Sequence, residues 1–207
     1  MGQVRQVAAF DFDGTLARGD SLLPFLLLVR GRAKVGRTLA FMGPRITAAL
    51  AGWGDRDGAK DDLIARIFRG VPAATVADLG AAYAQQLVAR RLRPAMVERV
   101  AWHRERGHQL VLVSASLAVY LEPLGELLGF DEVFATALEV GPDGLLTGKM
   151  LGANVRGPEK ASRITAWLGA DEYELWAYGD SAGDRDLLAL AHTPMLVRRG
   201  TLRPWRP

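Results

Sequence analysis

Short apolar segments that end abruptly in small polar or acidic residues constrain the fold of this 207-residue chain more than any other feature. Three of them are Val7 to Phe10, Leu110 to Val113 and Leu175 to Tyr178, and a fourth apolar run covers Pro194 to Val197. Residues with helical spacing precede the second and third segments. Because strands that alternate with helices form parallel sheets, the sequence predicts an α/β fold with a doubly wound parallel-sheet, Rossmann-like core.

Residues 20–92 interrupt this alternation. Apolar residues recur there at helical spacing, as in Val76, Leu79, Tyr83 and Leu87. We therefore expect an all-helical cap domain at 20–92, inserted into a core that consists of residues 1–19 and 93–207. Within the second part of the core, the turn residues Gly141 to Gly144 lie between apolar segments and predict a hairpin.

The composition is that of a folded globular chain, because 49% hydrophobic and 24% charged residues exclude wholesale disorder. The chain has no cysteine, which excludes disulfide frameworks, thiolate metal sites and a cysteine nucleophile. Lysine and arginine outnumber aspartate and glutamate by 26 to 23, a net charge of +3. The arginines are spread along the chain without a nucleic-acid-binding motif, so we expect no nucleic-acid partner.

The first ten residues lack the long apolar stretch of a signal peptide. The longest apolar run, Leu22 to Val29, is far shorter than the ~20 residues that a membrane-spanning helix needs. We therefore expect a cytoplasmic protein.

Four aspartates follow two of the predicted strands. Asp11 and Asp13 stand at the end of the first strand, where Gly14 permits a tight turn, and Asp180 and Asp184 follow the third. Carboxyl ends of parallel strands meet at one sheet edge, where ligands bind. Four carboxylates there repel one another unless a cation is present, and oxygen ligands favour Mg²⁺. Any one of these aspartates alone is better explained as a helix cap, but the set of four favours a metal site.

A serine and a lysine add to this pattern. Ser114 is expected between a strand and a helix, where its hydroxyl and the neighbouring amides could hold an anion. Lys160 begins a helical pattern, where the helix dipole disfavours a cation. This unfavourable position points to a functional role for the lysine.

Four motifs follow one another along the chain: Asp11-Phe12-Asp13-Gly14-Thr15-Leu16, Ser114, Lys160 and Gly179-Asp180-Ser181-Ala182-Gly183-Asp184. Their residues and their order resemble those of the haloacid dehalogenase-like (HAD) hydrolases. A helical segment inserted just after the first motif is similar to the phosphoserine-phosphatase-like branch of that family. The resemblance covers nearly the whole chain.

The resemblance implies a role for each motif residue. Asp11 would be the nucleophile that forms an aspartyl-phosphate, and Asp13 the general acid and then the general base. Mg²⁺ would be held by Asp11, Asp13 through its carbonyl, and Asp180. The phosphoryl oxygens would be held by Ser114, Lys160 and Thr15. The site would be supported by Asp184, Gly14 and Ser181.

The function implied is a Mg²⁺-dependent phosphomonoesterase that acts on a small phosphorylated metabolite, with phosphoserine as one candidate. A phosphotransferase or mutase with the same intermediate is the alternative within enzymes. A phospho-accepting signalling domain is disfavoured, because it needs no large insertion and places its aspartate on a middle strand. A non-catalytic binding protein is disfavoured by the intact motifs.

Substrate choice is expected to depend on the insertion. Asp20 lies near the position where phosphoserine phosphatases carry an acidic residue, and Arg56 is one candidate, with Arg66 and Arg69, for binding a substrate carboxylate. Gly183 and Ser116 stand where those enzymes usually have asparagine and glycine. These two departures weigh against phosphoserine as the substrate.

The segment 22–50 is apolar and basic, and it contains no acidic residue: its cations are Arg30, Arg32, Lys34, Arg37 and Arg45. Contact with a membrane surface, or a lid over a phospholipid-like substrate, is one interpretation. The favoured interpretation is a helix that packs on the core with its arginines in solvent.

Overall fold

Seven strands form a single sheet in the computed structural model, which describes residues 4–198 and 200–206 except for the side chains of Ile46, Ala49, Leu50 and Arg56. The strands are β1 (Arg5–Phe10), β2 (Gln109–Leu117), β3 (Glu132–Val140), β4 (Leu146–Leu151), β5 (Tyr173–Gly179), β6 (Thr193–Arg198) and β7 (Thr201–Pro204). Their order is β4-β3-β2-β1-β5-β6-β7. The five inner strands are parallel and the two edge strands are antiparallel to their neighbours, so the predicted fold class is confirmed.

Within the described residues, seven α-helices accompany the sheet: α1 (Leu22–Leu50), α2 (Arg56–Phe68), α3 (Ala73–Arg90), α4 (Pro94–Glu105), α5 (Ala118–Leu128), α6 (Pro158–Leu168) and α7 (Arg185–Leu190). A short 3₁₀ turn, Ala182–Asp184, precedes α7. Helix α1 is kinked at Gly31, whose φ of 72° and ψ of 163° are not helical. None of the helices in the described ranges has the length and apolarity that crossing a membrane requires.

The core lies on both faces of the sheet, because side chains of successive strand residues point in opposite directions. Ala8 and Phe10 of β1 join the larger apolar cluster, which takes in residues of α1 to α5. Val7 and Ala9 join the second cluster, with residues of α6 and α7. The sheet is therefore covered by helices on both sides, as a doubly wound fold requires.

Helices α1, α2 and α3 occupy residues 22–90, and this segment contributes no strand to the described sheet. Phe25 of α1 packs between Phe68 of α2 and Tyr83 of α3, with ring centroids 6.4 and 5.4 Å away. Helix α3 lies so close to α5 that a Cβ on Gly80 would be 2.2 Å from the carbonyl oxygen of Val119. The inserted helices thus share the larger core cluster with the sheet.

Strand β2 corrects one expectation. The strand continues to Leu117 instead of ending at Val113, so Ser114 lies within it. Its pairing with β3 is regular up to Val113 and resumes at Leu117 with a shifted register. Residues 114–116 therefore form an irregular stretch, and such irregularities redirect side chains near functional sites.

The hairpin expected around residues 141–144 is confirmed, since β3 and β4 pair in antiparallel fashion on either side of it. Strand β7 was not anticipated. It is four residues long, lies at the sheet edge and contains Pro204, and an edge strand is one of the few places in a sheet that tolerate proline. A strand this short gives no readable alternation in the sequence.

The contact between α3 and α5 leads to a stability prediction. Gly80→Ala should lower the free energy of unfolding by about 1–3 kcal/mol. The added methyl group would overlap the backbone carbonyl of Val119, which cannot move away as a flexible side chain could. Urea denaturation measures the change.

Gly36→Ala is the matched control, because no atom lies within 4 Å of the new methyl group in helix α1. It should be neutral or should stabilise by up to ~1 kcal/mol, the helix propensity difference. Equal stability of the two variants would contradict the close packing of α3 on α5.

A histidine pair, of which one member is buried, lies between α4 and the sheet. His103 is fully buried, with its Nε2 2.8 Å from the Tyr178 hydroxyl and its Nδ1 2.8 Å from Nδ1 of His108. Burial, with help from His108 and the nearby Arg99 and Arg106, lowers the pKa of His103 to about 3. His103 is therefore neutral in the folded protein at physiological pH.

This lowered pKa predicts acid sensitivity. In the unfolded chain His103 binds a proton near pH ~6.5, but in the folded chain it does so only near pH 3. Its contribution to stability is thus present above pH ~6.5 and is lost below it, by at most about 1.4 kcal/mol per pH unit. We expect His103→Gln to reduce the stability difference between pH 7 and pH 5 in urea denaturation.

His192→Gln is the control, because His192 is exposed and packs on Tyr173. This variant should keep the difference measured for the parent protein. If the two variants behave alike, His103 is not the source of the acid sensitivity.

Candidate active site

The carboxyl ends of β1, β2 and β5 meet under helix α2, and a cavity of about 290 Å³ opens there. Its lining combines the loop after β1, the irregular end of β2, the 3₁₀ turn and the start of α6. Five acidic and three basic side chains take part: Asp11, Asp13, Asp20, Asp57 and Asp184, and Lys60, Arg156 and Lys160. The cavity is therefore strongly polar, and its side chains carry a net negative charge.

A buried ion-pair triad forms the floor of this cavity. Nζ of Lys160 lies 2.6 Å from Oδ1 of Asp11 and 2.6 Å from Oδ1 of Asp184. All three residues are at most 6% exposed, so water screens these contacts little. Burial opposes the charge on Lys160, but the two carboxylates raise its pKa. When both carboxylates are ionised, the triad carries one negative charge.

Asp184 is the most constrained member of the triad. Its Oδ2 accepts hydrogen bonds from the amides of Asp180 and Ser181 and from the Ser181 hydroxyl, at 2.9–3.1 Å. These bonds and Lys160 overcome the cost of burial and lower the pKa of Asp184. Asp184 is therefore a charged carboxylate that holds Lys160 and the loop after β5 in place.

The pKa of Asp11 shifts in the opposite direction. Burial raises its pKa to about 7, although Lys160 opposes the shift and Asp184 adds to it. Its Oδ2 accepts no hydrogen bond from the described residues. A further cation beside Asp11 would offset this burial and keep the carboxylate charged.

Asp11, Asp180 and Asp184 each place one carboxylate oxygen within 4.8 Å of the others. Gly14 permits this approach, because a Cβ there would lie 2.1 Å from Oδ2 of Asp180 and its φ is +81°. Burial and the neighbouring Asp184 raise the pKa of Asp180 to about 6. Asp184 has both oxygens engaged, whereas Asp11 and Asp180 keep oxygens that accept nothing from other described residues. These free carboxylate oxygens fit a hard divalent cation.

Asp13 is held by hydroxyl groups. Its Oδ2 accepts hydrogen bonds from Ser116 at 2.5 Å and from Ser21 at 2.9 Å, while its Oδ1 is buried with no partner among the described residues. The Ser21 hydroxyl also lies 3.0 Å from the hydroxyl of Tyr120. Burial raises the pKa of Asp13 to about 6, against the effect of the two serines. Ser116, which the sequence marked only as a departure, is thus a partner of Asp13.

The two predicted phosphate-binding hydroxyls differ in position. Ser114 lines the cavity, is 2% exposed and accepts a hydrogen bond from the amide of Ser116 at 3.2 Å. Thr15 is fully buried outside the cavity lining, and its hydroxyl has no partner among the described residues. The structure therefore brings Ser114, but not Thr15, to the cavity.

Sequence reasoning missed a network that joins α2 to the core. Nζ of Lys60 donates to Oδ1 of Asn154 at 2.5 Å and also to the carbonyl of Ala115. Nδ2 of Asn154 in turn donates to Asp57 at 2.6 Å. Burial lowers the pKa of Lys60 to about 8. Local patterns cannot reveal this network, because Asn154 and Lys60 are 94 positions apart; the scarcity of lysine is the only hint.

The substrate-specificity candidates occupy different places. Asp20 lines the cavity, and its Oδ1 accepts from the amide of Leu23 at 3.0 Å, which caps the start of α1. The side chain of Arg56 lies outside the described residues. Arg66 stacks over Phe41, and Arg69 donates to the carbonyl of Thr147. Neither of these two arginines lines this cavity, but Arg69 lines the neighbouring one.

A second cavity of about 590 Å³ adjoins the first between α2 and strand β4. Asp57, Asn154 and Arg156 line both cavities. The two spaces therefore share one border, and a group larger than a phosphate can extend from the first into the second.

Comparison with known proteins places this site in a family. Residues 8–189 match the haloacid dehalogenase-like hydrolases. The protein CicA of Caulobacter vibrioides is 32% identical over 194 residues, which are 92% of this chain and 85% of CicA. A histidinol-phosphatase of Neisseria meningitidis is 25% identical over 202 residues, which are 94% of this chain and 90% of that protein.

Two solved structures share the fold. A protein of unknown function from Bordetella pertussis superimposes with a TM-score of 0.76 at 22% identity, over 93% of this chain and 89% of that one. A phosphoserine phosphatase, solved as an analogue of its phospho-aspartyl intermediate, has a TM-score of 0.60 at 20% identity, over 92% of this chain and 85% of that one. At these identities the likeness shows the fold alone.

The family match spans most of the chain and includes the end of β1, all of β2 and β5, and the polar residues that follow them. Relatives named as phosphatases align over nearly its full length. The resemblance seen in the sequence is thus confirmed: the chain belongs to the haloacid dehalogenase-like hydrolases and is a phosphatase of that family.

Proposed function

We propose that this protein is a Mg²⁺-dependent phosphomonoester hydrolase that acts on a small phosphorylated metabolite through an aspartyl-phosphate formed on Asp11. The observation that carries the proposal is the buried Lys160, whose Nζ lies 2.6 Å from both Asp11 and Asp184 on the cavity floor. A buried ammonium at this place orients one carboxylate oxygen of Asp11 and leaves the other free.

Asp11 is proposed as the nucleophile. Lys160 holds Oδ1, so Oδ2 is the atom that would attack phosphorus as the bond to the ester oxygen breaks. Lys160 and Ser114 both line the cavity and would contact the phosphoryl oxygens. Burial favours the reaction, because charge interactions are stronger where water is excluded.

Asp13 is proposed as the general acid. Its pKa of about 6 is high for an aspartate, which increases the fraction that carries a proton near neutral pH. Ser116 and Ser21 fix Oδ2, and Oδ1 would give its proton to the departing ester oxygen. The resulting carboxylate would then take a proton from the water that hydrolyses the aspartyl-phosphate.

Mg²⁺ would be held by Asp11 and Asp180, together with the main-chain carbonyl of Asp13, and Asp184 would keep Lys160 in position. When bound, the cation supplies the positive charge that lets an anionic phosphate approach an anionic nucleophile. The free oxygens of Asp180, the short distance between the Asp11 and Asp180 carboxylates and the position of Gly14 support this assignment. Asp11 would bind the cation through Oδ1, the oxygen that Lys160 holds, which leaves Oδ2 for the attack.

Residues 20–92 are proposed to act as the cap that closes over the substrate. Helix α2 supplies Lys60 and Asp57 to the cavity, and the start of the insertion supplies Asp20 and Leu22. The leaving group would lie against these residues. The histidinol-phosphatase relative, whose name specifies a substrate, points to a small phosphate monoester.

The nucleophile assignment makes a direct prediction. With Mg²⁺, the protein should release phosphate from p-nitrophenyl phosphate, and Asp11→Asn should lower kcat by at least about 10³-fold, since the amide is a poor nucleophile. Colorimetric turnover assays measure this loss, and circular dichroism shows that the variant folds.

Asp78→Asn is the matched control, since it makes the same chemical change on the exposed surface of α3. It should retain the activity of the parent protein. Turnover that persists in Asp11→Asn would refute the mechanism.

The cation assignment predicts that chelation abolishes turnover and that added Mg²⁺ restores it. Asp180→Asn should raise the Mg²⁺ concentration needed for half-maximal activity by roughly 10–100-fold, because it removes a charged ligand. Titration of activity with Mg²⁺ gives this value.

Asp171→Asn is the control, because the Asp171 side chain is 73% exposed and pairs with Arg5. It should leave the Mg²⁺ titration unchanged. Activity that survives strong chelation would count against a metal-dependent reaction.

A further inference from the structure

We propose that Arg156 is a further substrate-binding residue, whose guanidinium binds the phosphate group on the cavity floor, and that Gly183 leaves the space in which this side chain lies. The inference rests on the proposed function and deepens it by adding a residue that the family motifs do not contain. Arg156 lines the active-site cavity together with Ser181, Gly183 and Lys160.

The charges in the cavity are the first argument. The positive charge of Lys160 is already compensated by Asp11 and Asp184. Lys60 donates to Ala115 and Asn154 and is thereby occupied. Arg156 is the remaining basic side chain of the lining, and its guanidinium has no hydrogen-bond or ion-pair partner within residues 4–198 and 200–206. A phosphate dianion that enters the cavity therefore meets one uncommitted cation.

The backbone around Arg156 is the second argument. The amide of Gly157 donates to the carbonyl of Gly183 at 2.9 Å, and the amide of Lys160 donates to the carbonyl of Gly157 at 3.0 Å. Arg156 thus precedes α6 on the same hydrogen-bonded unit as Lys160 and the 3₁₀ turn. This placement limits the freedom of its backbone before a ligand binds, which reduces the entropy lost on binding.

The contact with Gly183 is the third argument. A Cβ at position 183 would lie 3.4 Å from both Cγ and Nε of Arg156, at the limit of ordinary van der Waals contact. Alanine would just fit, but atoms beyond Cβ would need the space that the arginine occupies. Glycine at 183 therefore leaves the space in which the side chain of Arg156 lies.

The chemistry of arginine suits this role. A guanidinium offers five N–H donors in a planar fork and binds phosphate through two parallel hydrogen bonds, which lysine cannot do. Arg156 is half-buried and borders both cavities, so it is accessible to a ligand that enters either of them.

The test measures KM and kcat for p-nitrophenyl phosphate and the inhibition constant of inorganic phosphate. Arg156→Gln should raise KM and the inhibition constant by a similar factor, roughly 10–100-fold, as expected for a lost charge-assisted contact. Arg156→Lys should recover only part of this loss. Arg163→Gln is the control, because Arg163 pairs with Glu159 on α6 and does not line the cavity. It should match the parent protein.

A double-mutant cycle tests the pairing with Gly183. Gly183→Val should displace the arginine and raise both constants, and the Arg156→Gln/Gly183→Val double variant should be no worse than the poorer single variant. If the fold-increases of the two single variants multiply in the double variant, Gly183 does not act through Arg156. If the KM and the phosphate inhibition constant of Arg156→Gln both lie within twofold of those of the parent protein, Arg156 does not bind the phosphate.

Calorimetric titration with inorganic phosphate separates this inference from the proposed function. If the parent protein binds phosphate but hydrolyses no ester, the proposed reaction is wrong, and weaker phosphate binding by Arg156→Gln still supports the inference. If the parent protein hydrolyses the ester and Arg156→Gln binds phosphate equally well, the inference alone is wrong.

Discussion

The buried Lys160 ammonium, held between Asp11 and Asp184, is the interaction on which the site depends. It joins three parts of the chain that are far apart in sequence: the end of β1, the start of α6 and the turn after β5. Removing one partner of such a buried pair typically costs about 3–5 kcal/mol, because the other charge is left uncompensated. The same contact that orients the proposed nucleophile therefore also fixes three elements relative to one another.

Close approaches at glycine positions let this dense set of charges form. Gly14 admits the carboxylate of Asp180 beside Asp11, and Gly183 admits the stem of Arg156 beside Lys160. In both places a larger side chain would compete for the space of a charged group. The glycines in these loops thus act through the room they leave for functional side chains, and not only through backbone freedom.

The inserted helices take part in the site and in the core alike. Helix α3 rests on α5 across Gly80, and Lys60 of α2 reaches the irregular end of β2 and Asn154. The proposed leaving-group side of the cavity is therefore built by the same segment that packs on the sheet. The Lys160 triad has no hydrogen bond to α2 among the described residues, so the two parts of the site are held by separate contacts.

The sequence by itself determined the α/β class, the inner strands β1, β2, β5 and β6 and the edge at which the acidic residues gather, because strand alternation and strand-end chemistry are local patterns. It indicated β3 only as one arm of a hairpin. It also pointed to Asp11, Asp13, Ser114, Lys160, Asp180 and Asp184. Only the tertiary structure decided that β2 extends to Leu117, that Thr15 lies outside the cavity, and that Ser116, Lys60, Asn154 and Arg156 line it. These outcomes depend on contacts between residues tens of positions apart, and local spacing carries no information about such contacts.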